Sequence, residues 1–369
     1  MKTKILLVAT ESSPGMIPFA ATIINALAEC PHFEVYCICV NAGKHSYLQS
    51  INQNAHPVFI EYPQNKLKKL LHKIWPAPII RVLQQIDKEV KPRIIHFLTG
   101  DFTLANYIAQ HPDKRYYYTV HDLHPHEVKR KSIIEHYHDK YLAYCTRRNI
   151  NNIENLTTSS HSQLEELKHL RRDVHIDFTH FPTLVNQEII SGTKEVSELK
   201  GIQNYILFFG SIELYKGIDL LLEAYLDSSI KDRHKLVIAG NGSSFDELMK
   251  DKNIIRINRF IYNEELAYLF RNSAIVIYPY RSATMSGVLS LAFYFHKRVI
   301  LSDIPFFKEN NCTLTTFFQN GNPVDLKNKM QDLLNAETEE RIYNDDCYDQ
   351  IYSIKTLVAD YMNLYEINK

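Results

Sequence analysis

The stretch Tyr278–Asp303, YPYRSATMSGVLSLAFYFHKRVILSD, predicts the end of one strand, a loop, a helix and a second strand. The preceding run Ala274–Tyr278 is apolar and β-branched, which is typical of a strand buried on both faces, and Pro279 ends it. We expect a helix to begin near Ser286 with an apolar inner face. A strand, a helix and a further parallel strand form the repeating unit of a doubly wound α/β sheet.

The loop before this helix is a candidate anion site. The first N–H groups of a helix have no internal partners and carry partial positive charge, so a phosphate is a natural ligand for them. Gly287 has no Cβ, so its backbone could approach a ligand closely. Such corners occur throughout α/β proteins, and the rest of the chain must decide whether this one binds a diphosphate. The candidate donor-binding residues of the corner are Thr284, Ser286, Gly287 and Val288.

Length and composition bound the possible functions. A chain of 369 residues with 45% hydrophobic and 23% charged residues predicts a globular protein of two domains. Lys+Arg 42 balances Asp+Glu 42, so nucleic acid is not an expected partner. The six cysteines form no CxxC pair, which favours reduced thiols, and the first apolar run, Ile5–Ala9, is too short for a signal peptide. We therefore expect a cytoplasmic protein.

Strands alternate with amphipathic helical patterns in both halves of the sequence, which predicts two parallel sheets with helices on both faces. We expect a first domain of residues 1–183, a second of 184–350 and a last helix within 351–369 that returns to the first domain. The polar segment Asn186–Asn204 is expected to be a linker. Predicted strands in the first half are Lys4–Ala9, Glu34–Val40, Val58–Ile60, Ile94–Phe97, Tyr116–Val120, Leu156–Thr158 and His175–Phe178. Those in the second half are Tyr205–Phe209, Leu236–Ala239, Ile254–Ile257, Ala274–Tyr278 and Arg298–Leu301.

Loops that follow strands of the first domain hold polar candidates, because ligands of parallel sheets bind beyond the carboxyl ends of the strands. The loop Thr10–Gly15 lacks the GxGxxG pattern, which makes a dehydrogenase unlikely, and Gly15 is either a ligand contact or an ordinary turn glycine. His121 follows a predicted strand and either hydrogen-bonds a ligand or caps the strand. The cluster His121–Glu127, with His124 and His126, also raises a metal-dependent hydrolase, although Pro125 interrupts any regular ligand spacing.

The loops of the second domain add a lysine, glycines and apolar residues. Lys216 lies near the start of a predicted helix, where charge and backbone donors could converge on one anion, although most lysines are simply exposed. Phe260 and Ile261 could cover a nucleotide base or belong to the core. The remaining candidates for donor binding in these loops are Gly210, Ser211 and Gly242.

These loops, in this order, resemble those of the family 4 glycosyltransferases, nucleotide-sugar enzymes of the GT-B fold. The resemblance spans nearly the whole chain and is most specific between Tyr205 and Glu309, in the blocks FFGSIELYKGIDLLLEAY, LVIAGNGS, EELAYLFRNSAIVIYPY and GVLSLAFYFHKRVILSD and the following Glu309. TVHDLHPHE resembles the block with the family's donor-site histidine. It implies two Rossmann-like domains that face each other across a cleft. The first would be the acceptor side, and the second would bind a UDP or GDP type of nucleotide sugar. It also implies transfer with retention, with no bound metal or other cofactor.

The corner departs from the family's usual pattern. Ala283 and Leu291 occupy positions where an acidic pair is common, and SATMSGV resembles a subset with a Ser-Gly corner instead. Ser211 stands where an arginine that grips the phosphates is usual. The resemblance therefore assigns catalytic roles to His121 and Lys216 and none to an acidic pair.

The function that these observations predict is transfer of a sugar to a glycan or lipid-linked acceptor, in cell-surface polysaccharide biosynthesis. The missing acidic pair and arginine leave open a catalytically weakened protein that only binds nucleotide sugars, and His121–Glu127 leaves open the hydrolase.

The segment Lys66–Arg81, KLKKLLHKIWPAPIIR, predicts a basic amphipathic helix with one Trp. Such a helix could rest on an anionic membrane, which would make the protein peripheral on the inner face, or it could pack on the first sheet with a solvated outer face.

Overall fold

The computed structural model describes residues 2–13, 15–42, 46–123, 133–242, 250–335 and 346–367. The chain divides into two compact units. The first domain takes in Met1–Pro125, Lys131–Pro182 and Tyr352–Lys369, and the second takes in Thr183–Ile351. Both are doubly wound α/β domains with parallel sheets, so the predicted fold class is confirmed.

The first domain has a seven-stranded sheet of order β3-β2-β1-β4-β5-β6-β7. Its strands are β1 (Thr3–Ala9), β2 (Phe33–Asn41), β3 (Pro57–Glu61), β4 (Ile94–Phe97), β5 (Tyr116–Thr119), β6 (Asn155–Thr158) and β7 (His175–Phe178). Alternate residues of β1 enter different cores, because Ile5 and Leu7 face one layer of helices while Leu6 and Val8 face the other. Its helices are α1 (Met16–Glu29), α2 (Lys66–Ile74), α3 (Ala77–Val90), α4 (Ala105–Gln110), α5 (Ile133–Asn152) and α6 (His161–Leu170).

The second domain has a six-stranded sheet of order β10-β9-β8-β11-β12-β13. Its strands are β8 (Tyr205–Phe209), β9 (Leu236–Ala239), β10 (Ile254–Ile257), β11 (Ser273–Tyr278), β12 (Val299–Ser302) and β13 (Thr315–Phe318). Its helices are α7 (Gln187–Ser191), α8 (Ile218–Leu226), α9 (Asn263–Arg271), α10 (Val288–Tyr294), α11 (Pro305–Glu309), α12 (Pro323–Asn335) and α13 (Cys347–Tyr352).

The last helix, α14 (Ile354–Leu364), packs on the first domain as predicted. Tyr365, just after α14, bonds the fully buried His96 of β4, whose Nδ1 lies 2.6 Å from the tyrosine hydroxyl. Burial lowers the pKa of His96 to about 3, so its ring is neutral. Asp360 of α14 accepts from the His180 main-chain N–H at 2.7 Å, and its carboxylate also lies 2.7 Å from His180 Nδ1. The C-terminal segment is thus tied to the first sheet by polar as well as apolar contacts.

Two expectations were wrong. Residues 186–204 are not a linker, because α7 lies within them and Ile189, Val196 and Leu199 are buried in the second domain. Apolar residues spaced widely in a polar stretch concealed this packing. The thiols are also not all reduced, since Cys312 and Cys347 form a disulfide with their Cα atoms 5.7 Å apart. The other four cysteines are free and buried.

Candidate active site

Glycines close the carboxyl ends of β8 and β9 in the second domain. The Gly210 N–H donates to the Ala239 carbonyl at 3.0 Å, which extends the sheet ladder by one residue. A Cβ on Gly240 would overlap the Gly210 carbonyl oxygen, so only glycine allows this approach. Gly242 is equally constrained, because a Cβ there would lie 2.5 Å from the Ile212 carbonyl oxygen. The structure therefore uses Gly240 and Gly242 to bring the loops after β8 and β9 together.

Lys216 lies in the turn that follows β8. It ends a short 3-10 helix, Leu214–Lys216, and only 8% of its surface is exposed. The Lys216 ammonium donates to the Ser211 hydroxyl at 2.6 Å, and that hydroxyl donates to a Glu213 carboxylate oxygen at 2.8 Å. Ser211 thus keeps the buried cation in place where the family resemblance leads one to expect an arginine.

Three groups converge on one small space beside the Lys216 ammonium. A Cβ on Gly210 would lie 3.3 Å from Nζ and 3.8 Å from the Tyr280 hydroxyl. Lys216 also lies 5.6 Å from the centre of the Tyr280 ring. Burial raises the pKa of the Tyr280 hydroxyl, which the Ser286 side chain opposes only in part, so the hydroxyl stays a donor. The cation and the phenol are donors suited to an anion, and the missing Cβ of Gly210 leaves room for one beside them.

Arg281, just after β11, braces the turn that carries Lys216. Its side chain makes a bidentate pair with Asp219, at 2.7 and 2.6 Å, and donates to the Leu214 carbonyl at 3.0 Å. Its backbone N–H donates to the Tyr215 carbonyl at 2.7 Å. This role was not predicted from the sequence, because Arg281 and Asp219 are 62 residues apart. These contacts hold the turn in place and so fix where the ammonium of Lys216 can lie.

Gly217 also holds this turn in place, through its backbone conformation and its close packing. Its φ of 65° lies in the left-handed region, and an added Cβ would overlap the Pro279 carbonyl oxygen. Helix α8 begins directly after it, at Ile218. The turn therefore packs directly on the main chain that follows β11, and Lys216 sits between the ends of two strands.

The Ser-Gly corner differs in detail from the expectation. Helix α10 has seven residues and begins at Val288, with Gly287 at its N-cap. A Cβ on Gly287 would lie 2.6 Å from Leu184 Cγ, so the close approach at this glycine is to Leu184. Ser290 supports the contact by donating to the Gly287 carbonyl at 2.6 Å and accepting from the Leu184 N–H at 3.0 Å. Thr284, Ser286 and Val288 are half-buried.

The two apolar residues after β10 have different surroundings. Ile261 is 5% exposed and belongs to the core, whereas Phe260 is 53% exposed. The Phe260 ring lies edge-on to Tyr262, with centroids 5.7 Å apart. Of the two residues, Phe260 is the one with a surface that a flat ligand could cover.

His121 follows β5 in the first domain, as predicted. Its Nε2 donates to the Leu98 carbonyl at 2.8 Å, and its ring packs edge-on against Phe19, with centroids 4.7 Å apart. This bond places the hydrogen of the neutral ring on Nε2. The buried Nδ1 has no hydrogen-bond partner among the described residues, which leaves it an acceptor in the neutral ring. The rest of the candidate metal cluster, His124, His126 and Glu127, lies outside the described residues.

Sequence reasoning missed a buried carboxylate near the same sheet edge. Asp101 is fully buried and accepts from Thr10 N at 3.0 Å, Thr10 Oγ1 at 2.6 Å and Thr99 N at 3.0 Å. Burial raises the pKa of Asp101 to about 7, although these hydrogen bonds favour the charged form. Asp101 therefore fixes the start of the loop after β1. Gly15, at the end of that loop, has an ordinary φ of −85° and nothing within 4 Å of an added Cβ.

No group of three or more His, Cys, Asp or Glu side chains that could hold a metal ion occurs in the described part of the chain. Within those same residues, no helix combines the length and the apolar character needed to cross a bilayer.

The low pKa of Lys216 predicts a pH effect on anion binding at this site. Burial lowers this pKa to about 8, against an opposing effect of Glu213, so the cation is present below pH 8 and lost above it. We expect the affinity for an anion such as sulfate to fall as pH rises through about 8, measured by isothermal titration calorimetry. Lys297 is the matched control, because burial lowers its pKa to about 8 as well, but it donates to the Arg271 and Ser273 carbonyls at the amino end of β11. The Lys297→Gln variant should show the same change near pH 8 as the wild type. A pH profile that stays flat to about pH 9.5 would contradict the assignment to Lys216.

A family model matches most of the second domain. Residues 192–347 match the family described as glycosyl transferases group 1. No curated protein sequence matches the chain.

Solved structures share the fold over nearly the whole chain. Anabaena HepE in complex with UDP and glucose has a TM-score of 0.68 at 13% identity, covering 98% of this chain and 99% of that chain. Thermosynechococcus elongatus sucrose-phosphate synthase has a TM-score of 0.71 at 14% identity, covering 99% and 98%. An E. coli trehalose-6-phosphate structure bound with UDP-2-fluoro glucose has 0.68 at 11% identity, covering 99% of both chains. The fold is therefore GT-B, and at these identities the likeness shows the fold alone.

Proposed function

We propose that the protein is a glycosyltransferase of family 4 that transfers a sugar from a UDP or GDP type of nucleotide sugar with retention and without a metal. The observation that carries this proposal is the buried Lys216 ammonium, held beside the Gly210 backbone and the Tyr280 hydroxyl at the strand ends of the second domain. The family match covers the same region, and the Anabaena and E. coli structures hold UDP or a UDP sugar.

The second domain would bind the donor through its diphosphate. On binding, the Lys216 ammonium would exchange the Ser211 hydroxyl for a phosphate oxygen, which its position next to open backbone permits. The Tyr280 hydroxyl and the Ser286 and Thr284 side chains would supply further hydrogen bonds. Phe260 would cover one face of the base. The cation is present before the donor arrives, so it stabilises the charge that grows on the leaving diphosphate without further reorganisation.

The reaction exchanges one bond at the anomeric carbon for another on the same face. The bond from that carbon to the phosphate oxygen breaks, positive charge develops on the sugar ring, and the acceptor hydroxyl attacks as it loses its proton. The departing phosphate oxygen takes that proton, so no protein base is needed. His121 would accept a hydrogen bond from a donor-sugar hydroxyl at Nδ1, since Nε2 is already bonded to Leu98.

We place the protein in the cytoplasm, peripheral on the inner face of the membrane, where it would extend a glycan or a lipid-linked acceptor in cell-surface polysaccharide biosynthesis. The basic amphipathic segment Lys66–Arg81 of the proposed acceptor-side domain supports this location and an acceptor built on a lipid.

A panel of UDP, GDP, ADP and TDP sugars tests the proposal. A ligand that binds only the native state raises its melting temperature, so a UDP or GDP sugar should stabilise the protein, and Lys216→Ala should lose most of that shift. Transfer to a glycan acceptor should then proceed in EDTA, with the anomeric configuration of the product checked by NMR. Binding without turnover would indicate a nucleotide-sugar binder, and activity that requires added zinc would indicate the hydrolase. Either result would overturn the proposal.

A further inference from the structure

Three apolar side chains on helix α2 and directly after it are left exposed by the described residues of the first domain. Leu67 is 66% exposed, Leu71 is 57% exposed and Trp75, directly after the helix, is 43% exposed. Leu67 and Leu71 are one turn apart, so they lie on one face. Twelve large hydrophobic side chains are exposed among the described residues, and three of them fall in this short segment. We call Leu67, Leu71 and Trp75 the α2 stripe.

The helix is held to the domain by other side chains, so the stripe is not its packing face. His72 is 4% exposed, and its ring lies edge-on to Tyr62, with centroids 4.9 Å apart. The Asn65 side chain caps the helix by accepting from the N–H groups of Leu67 and Lys68. The helix is thus fixed in orientation with the stripe outward.

The charge of the segment identifies the chemistry of a partner. Residues 66–81 contain Lys66, Lys68, Lys69, Lys73 and Arg81 and no acidic residue, in a chain with no net charge. Lys68 is exposed directly beside Leu67. Basic side chains beside exposed Leu and Trp match an anionic bilayer surface, where phosphates lie next to acyl chains.

We propose that α2 lies in the interface of an anionic membrane, with the α2 stripe among the acyl chains and its lysines on the headgroup phosphates. The stripe spans only about 12 Å along the helix, which is short for a stable protein interface of about 1,000 Å² or more. Binding to a lipid surface does not require the buried area of a stable protein–protein interface. This proposal identifies the surface by which the protein would contact the membrane in the peripheral location given above. It rests on α2 alone and is independent of the donor site.

Co-sedimentation of the full chain with vesicles tests this proposal. The wild type should bind vesicles of phosphatidylcholine mixed with phosphatidylglycerol about tenfold or more better than pure phosphatidylcholine vesicles, and high salt should weaken binding. The double variant Leu67→Gln and Leu71→Gln should lose about tenfold or more of that affinity. Leu170→Gln is the matched control, because Leu170 is 60% exposed at the end of α6 and should bind like wild type.

The melting temperature of each variant without ligand separates folding from lipid binding. The double variant should keep the wild-type melting temperature within a few degrees, since its substitutions lie on the surface of the first domain. Wild type that stays in the supernatant with anionic vesicles overturns the proposal. So does a double variant that sediments like wild type, or one whose only change is the loss of a dimer in analytical ultracentrifugation.

Discussion

Lys216→Ala should lower kcat/KM for the nucleotide sugar on the order of 100-fold or more, which is the scale for loss of one preorganised donor at a developing charge. The effect should be large because Lys216 is a buried cation at the carboxyl ends of the strands in the second domain. Its neighbour Ser211 stands where the family resemblance leads one to expect an arginine. The measurement is steady-state transfer with the donor varied at saturating acceptor. A variant with near wild-type rates would rule out Lys216 as the group that stabilises the diphosphate.

Ser211→Ala is the matched control for Lys216→Ala. It removes the hydroxyl that accepts from Lys216 but leaves the cation. We expect a loss of less than about tenfold, because the Ser211 hydroxyl gives up its place on the ammonium to the phosphate oxygen and so makes no bond to Lys216 in the transition state. If the two variants lose the same activity, the turn as a whole, not the charge, is what the reaction needs. A fall in kcat larger than the change in KM would place the role of Lys216 in the transition state.

The strands of both sheets were the part of the fold that the sequence predicted best. Runs such as Tyr205–Phe209 and Leu236–Ala239 are continuously hydrophobic because parallel strands are buried on both faces, and both have the predicted bounds. The edge strand β13 was missed, since most of Thr315–Phe318 is only half-buried and its sequence is short and mixed.

The candidate site was predicted only where one side chain follows one strand. His121 and Lys216 lie at such positions, and their places after β5 and β8 follow from local sequence. Asp101 and Arg281 were missed because their roles depend on distant partners: Asp101 bonds Thr10 from 91 residues away. No periodicity encodes such a pair. The Cys312–Cys347 disulfide was missed for the same reason, since its cysteines are 35 residues apart and α12 lies between them.

Gly217→Ala should destabilise the second domain and weaken donor binding together. The left-handed φ of 65° costs an alanine about 1–2 kcal/mol, and the added Cβ would also overlap the Pro279 carbonyl oxygen. The turn must move away from the end of β11 to relieve that overlap. We therefore expect the free energy of unfolding to fall by about 3 kcal/mol or more in total. Lys216 would move with the turn. Thermal unfolding and donor titration of the same sample measure the two effects.

Gly201→Ala separates the contact from the backbone conformation. Gly201 has a similar φ of 75°, but nothing lies within 4 Å of an added Cβ. This control should therefore lose only the conformational cost, about 1–2 kcal/mol, and should bind the donor like wild type. Equal losses of stability in the two variants, with donor affinity intact in both, would show that the Pro279 contact does not position Lys216. A larger loss at Gly217, with weakened donor binding, would show that the packing of this turn on the end of β11 sets the position of the cation.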